Sequence, residues 1–219
     1  MPVLTIASSK GGAGKTPVCQ VLAVTLAGEL RVVALGADPT QALSRWAGST
    51  YEGPTFEVMA ADETRLAHLI AAKAETGDLV LVDTAGFGNR TATVAITSAD
   101  GVLIRSLSGE ADVTETEKTV RPVESAARRD IPACVLLNRV RQTTSARHAA
   151  AEIKAAGLPR LTAVLSPTCI RRDDLFRPAS SNWSVRGRDS RAGRRIARTR
   201  LDPGTCITVA RRSVTACRR

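Results

Sequence analysis

Ser8-Ser9-Lys10-Gly11-Gly12-Ala13-Gly14-Lys15-Thr16 joins an apolar run over Val3 to Ser8 to an Ala/Val/Leu-rich stretch running from Thr16 to Gly28. A strand, a glycine loop and a helix in that order are what a phosphate cradle requires. Glycines let backbone N–H groups approach phosphate oxygens, and the helix N-terminus adds partial positive charge. In such a cradle Lys15 reaches the terminal phosphates and the Thr16 hydroxyl ligates Mg²⁺. The pattern G-x-x-x-x-G-K-[ST] would need glycine at Ser9. The chain instead reads K-G-G-x-G-K-T, with a second lysine, Lys10, five residues before Lys15.

Outward from this loop, β-branched runs alternate with Ala-rich amphipathic stretches. Further strands are predicted at Arg31 to Leu35, Thr55 to Met59, Asp78 to Thr84, Gly101 to Leu107, Ala133 to Arg139 and Leu161 to Leu165. Helices are predicted near Thr40 to Ala47, Asp62 to Ala74, Thr91 to Ser98, Asp112 to Arg129 and Ser145 to Ala156. This alternation predicts an α/β fold, a mostly parallel central sheet with helices on both faces and right-handed crossovers. The run DLVLVD is apolar up to its last carboxylate, so it suits a central strand that delivers Asp83 to the sheet's C-terminal edge, where open α/β folds bind ligands.

With 219 residues, 43% hydrophobic and 24% charged, the chain can bury a core and is too apolar for a disordered protein. No segment approaches the roughly 20 apolar residues of a membrane span, and MPVLTIASSK lacks the basic start and cleavable apolar stretch of a secretory signal. A cytoplasmic protein is expected. Five cysteines, with no C-x-x-C pair and no histidine at ligand spacing, read as free thiols.

The net charge of +10 is unevenly placed. Residues 1–167 carry 17 basic and 17 acidic side chains, whereas residues 168–219 carry 14 Arg and 4 Asp and neither Lys nor Glu. The expected organisation is therefore a phosphate-loop α/β domain over 1–167 and a basic, aperiodic tail over 168–219. Three readings of that tail stand: a disordered basic arm for nucleic acid, an out-of-frame translation of a GC-rich gene, or a folded subdomain. Codons can be chosen from Cys169 onward so that the shifted frame reads Tyr-Gly-Glu-Met-Thr-Tyr-Ser, an ordinary protein sequence, which favours the second.

Over residues 1 to about 167 the chain resembles the ParA/MinD family of deviant Walker ATPases. The resemblance rests on the two-lysine loop and on Ala37-Asp38-Pro39, LVLVDTAG around Asp83 and VLLNRV around Asn138, which follow in the family's order. It implies that Gly11, Gly12, Ala13, Gly14, Lys15, Thr16 and Pro17 surround ATP, with Lys10 crossing a sandwich dimer to the partner's phosphates. Asp38 would orient the attacking water, Asp83 would hold Mg²⁺ through water and Asn138 would contact adenine. The implied activity is slow ATP hydrolysis by a homodimer that forms with ATP. It would partition or position plasmid or chromosomal DNA, bound to nonspecific DNA and stimulated by a ParB-like partner. Plainer readings stand beside these: a solvated Lys10, a turn aspartate at Asp83, a helix cap at Asp38 and a turn former at Asn138.

Four positions depart from the family pattern. Pro17 replaces a threonine whose hydroxyl touches the α-phosphate, and Gly36 stands where an acid is frequent. Arg105 replaces a strand-ending proline and is expected to point outward or to cost stability. Pro122 falls inside a predicted helix, where it costs about 3 kcal/mol or forces a kink. These departures and the tail support an alternative, a hydrolysis-impaired remnant that binds nucleotide or nucleic acid without turnover. A membrane-positioning role would need an amphipathic C-terminal helix, and the tail has no clean apolar face.

Overall fold

Strands buried on both faces read as continuous apolar runs, and three of them form the middle of the fold. These are β1 (Val3–Ala7), β4 (Leu79–Thr84) and β5 (Gly101–Ser106), in which every residue is buried. The computed structural model describes residues 2–8, 12, 14–49, 51–53, 55–86, 89–126, 131–140 and 142–158, and the backbone of 160–165, 188–189, 194–202, 205–210 and 213–218. Around the three central strands lie β2 (Val32–Ala37), β3 (Glu57–Ala60), β6 (Ala133–Asn138) and β7 (Arg160–Leu165). The seven pair in the order β3-β2-β4-β1-β5-β6-β7, and every pairing is parallel. The predicted α/β architecture is what forms.

Among the described residues six helices make the crossovers: α1 (Lys15–Ala27), α2 (Ala42–Ser49), α3 (Leu66–Thr76), α4 (Arg90–Thr97), α5 (Glu110–Ala126) and α6 (Thr143–Ala155). Alternation along the strands sends side chains to opposite layers. Leu4, Ile6, Leu81 and Leu103 pack with Val18, Cys19, Leu22 and Leu26 of α1. Val80 and Val82 pack instead with Leu66, Leu69 and Ile70 of α3, while Val102 and Ile104 pack with Val113 and Val120 of α5. Thr5 faces the second layer and donates to the Ala95 carbonyl of α4 at 2.9 Å, so its hydroxyl is satisfied within the core.

The predicted element boundaries hold to within a few residues. Pro122 neither ends nor divides α5, which runs through it as one helix. A proline there removes one N–H donor, and the apolar face that presents Val113, Val120 and Val123 to the sheet holds the helix in place. Cys19, buried in the core, and Cys134 are both thiols that form no disulfide. Within the arginine-rich stretch the described residues form β8 (Arg188–Asp189), β9 (Arg194–Asp202), β10 (Thr205–Ala210) and β11 (Ser213–Arg218), paired antiparallel in the order β11-β10-β9-β8. Among the described residues no helix is long and apolar enough to cross a membrane.

Leu81 sits at the centre of the sheet and is 0% exposed. Replacing it by alanine leaves a cavity beneath α1, and Leu81→Ala is expected to lower unfolding free energy by about 2–5 kcal/mol in a urea titration. A loss below about 1 kcal/mol would contradict the layering described above.

Candidate functional site

The loop leaving β1 turns into α1 through Gly14, whose φ of 90° lies in the left-handed region that glycine adopts without strain. Gly12 is also left-handed, with φ of 66°. Gly14 is the N-cap of α1 and supplies no side-chain cap, so the helix opens with N–H groups that no capping side chain satisfies. Proline has no N–H to lose, so Pro17 fits the first turn and α1 continues unbroken. Its ring nevertheless removes both one N–H and one hydroxyl from a helix start otherwise suited to an anion.

Lys15, Thr16, Asp38, Asp83 and Asn138 converge on this C-terminal edge of the sheet. Lys15 begins α1 and is buried, at 6% exposed. Burial pulls its pKa down, Asp83 and then Asp38 pull it up, and Arg105 adds a smaller depression. Asp83, near the end of β4 and paired in register with Ile6, is 0% exposed. Neither of its carboxylate oxygens has a hydrogen-bond partner of good geometry, although the Thr16 hydroxyl lies near enough to hold its pKa down. Burial dominates over Thr16 and Lys15, and the carboxyl is pushed up to about 6. An orphaned buried carboxylate beside a threonine hydroxyl is a donor set that suits a hard divalent cation such as Mg²⁺.

Asp38 follows β2, and its Oδ1 accepts from the Thr40 N–H at 2.8 Å, closing a turn just before α2. The Asp38 carboxylate thus caps a turn ahead of α2 rather than the helix itself, and it still lies close enough to influence Lys15 and Asp83. Gly36, in register with Asp83, would carry a Cβ only 3.5 Å from Leu43 and 3.7 Å from the Ser44 hydroxyl. That hydroxyl is buried without a partner, so glycine here leaves an acceptor missing beside α2.

Asn138 ends β6 and is 0% exposed. Its Oδ1 accepts from the Arg139 N–H at 2.8 Å, as in a turn, while its buried Nδ2 donates to nothing. That same Nδ2 lies 3.2 Å from where a Cβ on Gly14 would stand, so the amide and the loop are neighbours and any side chain at 14 would crowd them. Lys10, Gly11 and Ala13 lie outside the described residues.

Of the two outcomes expected for Arg105, outward-pointing or costly, the structure has the costly one. It does not point outward: only 4% of it is exposed, and its Nε and Nη2 have no hydrogen-bond partner. The sequence marked it as an anomaly within an apolar strand but carried no signal of which layer it enters. Strand alternation settles that, because Leu103, two residues earlier, packs in the α1 layer.

Comparisons with known proteins agree with this geometry. A family model described as "VirC1 protein" matches residues 1–173. A virC1 protein of Rhizobium radiobacter is 36% identical over 163 residues, covering 67% of this chain and 69% of its own. A ParA protein of the same organism is 31% identical over 178 residues, covering 78% of this chain and 79% of its own. Among solved structures, the septum site-determining protein MinD of Pyrococcus horikoshii, complexed with Mg-ADP, superposes with a TM-score of 0.65 at 22% identity over 80% of this chain and 85% of that one. The two-lysine loop, the parallel sheet and these relatives together establish that the chain belongs to the VirC1 family of ParA/MinD-type P-loop ATPases.

Proposed function

We propose that this chain binds and slowly hydrolyses ATP with Mg²⁺, alternating between a monomer and an ATP-held sandwich dimer to partition or position plasmid or chromosomal DNA in the cytoplasm. The observation that carries the reading is the uncapped start of α1 at left-handed Gly14, set beside buried Lys15 and the orphaned Asp83. A polyphosphate would satisfy that helix start and sit against the Lys15 ammonium, and the MinD structure complexed with Mg-ADP supports the choice of ligand.

In this reading the phosphate chain lies along the N–H groups from Gly11 to Thr16, and Lys15 binds its terminal oxygens as a point charge. Asp38, fixed by Thr40, orients the water that attacks the γ-phosphorus. Thr16 and, through water, Asp83 would hold Mg²⁺, which when bound neutralises phosphate charge as the leaving group develops. Asn138 offers its Nδ2 to the adenine ring, whose ring nitrogens accept. Lys10 reaches the partner's phosphates, so the dimer needs ATP and comes apart on hydrolysis. A ParB-like protein stimulates turnover, and dimers rest on nonspecific DNA. Pro17 favours a slower or hydrolysis-impaired variant of this cycle, because it offers the α-phosphate no hydroxyl.

Analytical ultracentrifugation with saturating Mg-ATP is expected to show a dimer in the unmodified chain and a monomer in Lys10→Ala. Lys15→Ala should weaken ATP binding at least about tenfold, the effect expected for removing one charge-assisted hydrogen bond. A chain that stays monomeric with ATP would overturn the switch.

The pH behaviour of Asp83 gives a second test. Its folded-state pKa, about 6, lies above its ordinary 3.8, so the folded state favours the protonated form. The associated stability is therefore present below pH 3.8 and lost as pH rises through about 6. Ligation of Mg²⁺ needs the carboxylate, so the Mg²⁺-dependent part of nucleotide affinity should fall as pH drops below 6. Asp83→Asn should raise the melting temperature of the nucleotide-free protein at about pH 8 and abolish the Mg²⁺ dependence of binding by calorimetry. An unchanged Mg²⁺ dependence would remove Asp83 from the metal site.

A further inference from the structure

A guanidinium with two buried nitrogens and no partner is costly, and such a group persists where something else supplies the missing acceptor. Arg105 is in this position, with Nε and Nη2 both unpartnered and 4% of the residue exposed. The sheet fixes where it lies. β1 is flanked by β4 on one side and β5 on the other. Ile6 pairs with Asp83 across the first boundary, and Ala7 pairs with Ile104 across the second, one residue short of Arg105.

Leu81 and Leu103 both pack in the α1 layer, and Asp83 and Arg105 each follow two residues later along their strands. The acid and the guanidinium therefore straddle the root of the loop on the layer occupied by α1. Across β5, Arg105 pairs with Leu136 of the same layer. Two further cations are close enough to influence or be influenced by Arg105. Arg105 depresses the pKa of Lys15, and Arg139, whose side-chain nitrogens lie 3.8 Å from the Cβ position of Gly14, depresses that of Arg105. Burial is the larger cause for Arg105, which is brought down to about 10 and stays charged at neutral pH.

Three cationic side chains thus gather where β1 gives way to α1, and Arg105 carries two donors without acceptors. We propose that Arg105 is a phosphate-binding residue of this site, donating Nε–H and Nη2–H to oxygens of the bound nucleotide's phosphate chain from the β5 side of the loop. Arginine's planar fork matches two phosphate oxygens at once, which a lysine cannot do. The residue has a second consequence. In the nucleotide-free protein its burial and its two unsatisfied donors oppose folding, with the Asp112 carboxylate only partly compensating, and the phosphate removes that penalty, so ligand binding and folding stability are coupled through one side chain.

This inference rests on the nucleotide site proposed above, and the test separates the two. Arg105→Met keeps much of the length of the side chain and removes the charge, while Arg105→Lys keeps the charge and removes the fork. Calorimetry with ADP and thermal unfolding with inorganic pyrophosphate are run on the unmodified full chain and on both variants. Arg105→Met is expected to bind ADP about ten- to a hundredfold more weakly and to lose the pyrophosphate-induced rise in melting temperature. Its nucleotide-free melting temperature should rise by at least about 2 °C. Arg105→Lys should fall between the two in affinity, which keeps the test open if the methionine variant does not fold.

Higher stability with weaker binding is the signature that a purely structural arginine would not give. ADP affinity within about twofold of the unmodified chain in either variant overturns the role of Arg105 alone. So does a variant in which melting temperature and affinity fall together. Failure of the unmodified chain to bind ADP overturns the nucleotide site and this inference with it.

Discussion

Burial of Asp83, Arg105 and Asn138 at one end of an apolar sheet, each with polar atoms that find no partner, is the constraint to which the other features of the fold answer. Water satisfies such groups at a surface. Here they are enclosed by α1 and by neighbouring strands, and each orphaned atom would cost on the order of 1–3 kcal/mol if nothing ever answered it. The surrounding core sustains that deficit. Leu4, Ile6, Leu81 and Leu103 pack with α1 directly beneath the loop, so the helix start cannot shift to relieve the orphans without opening the core.

The charges at this edge are mixed in sign and unequal in their satisfaction. Asp83 and Lys15 attract across the root of the loop, and each moves the other's pKa toward its charged form. Arg105 and Arg139 join Lys15 as cations at this edge, facing the carboxylates of Asp38, Asp83 and Asp112. Cationic side chains, helix N–H groups and one buried carboxylate poised for a cation suit a metal–polyphosphate pair better than either component alone. In the proposed site, the Arg105 guanidinium would offset the hydroxyl that Pro17 does not offer the α-phosphate.

Much of this was legible in the sequence. Lys15 and Thr16 were placed at a helix start by the glycine loop, and Asp38, Asp83 and Asn138 at strand ends by apolar runs that stop in a polar residue, and the structure brings all five to one edge. Local pattern was enough there because a strand's last residue must emerge at the sheet edge whatever packs around it. Arg105 and Pro122 were less legible. For Arg105 the sequence left two outcomes, outward-pointing or costly; its layer is set by the parity it shares with Leu103, and its neighbours Lys15 and Arg139 are distant in sequence. Pro122 was weighed as a kink or a cost within the helix, and α5 passes through it as one helix whose face carrying Val120 and Val123 is held against the sheet.

The order of residues is sufficient for the class of fold, the phosphate loop and the identity of the groups that can meet a nucleotide. These follow from short-range rules, namely glycine's access to left-handed φ, the period of apolar residues and the chemistry of single side chains. Which of those groups remain unsatisfied is a property of the folded molecule. Whether Asn138 Nδ2, Asp83 or Arg105 has a partner depends on strands brought together from opposite parts of the chain, and long-range pairing and close packing, not local preference, fix those neighbours.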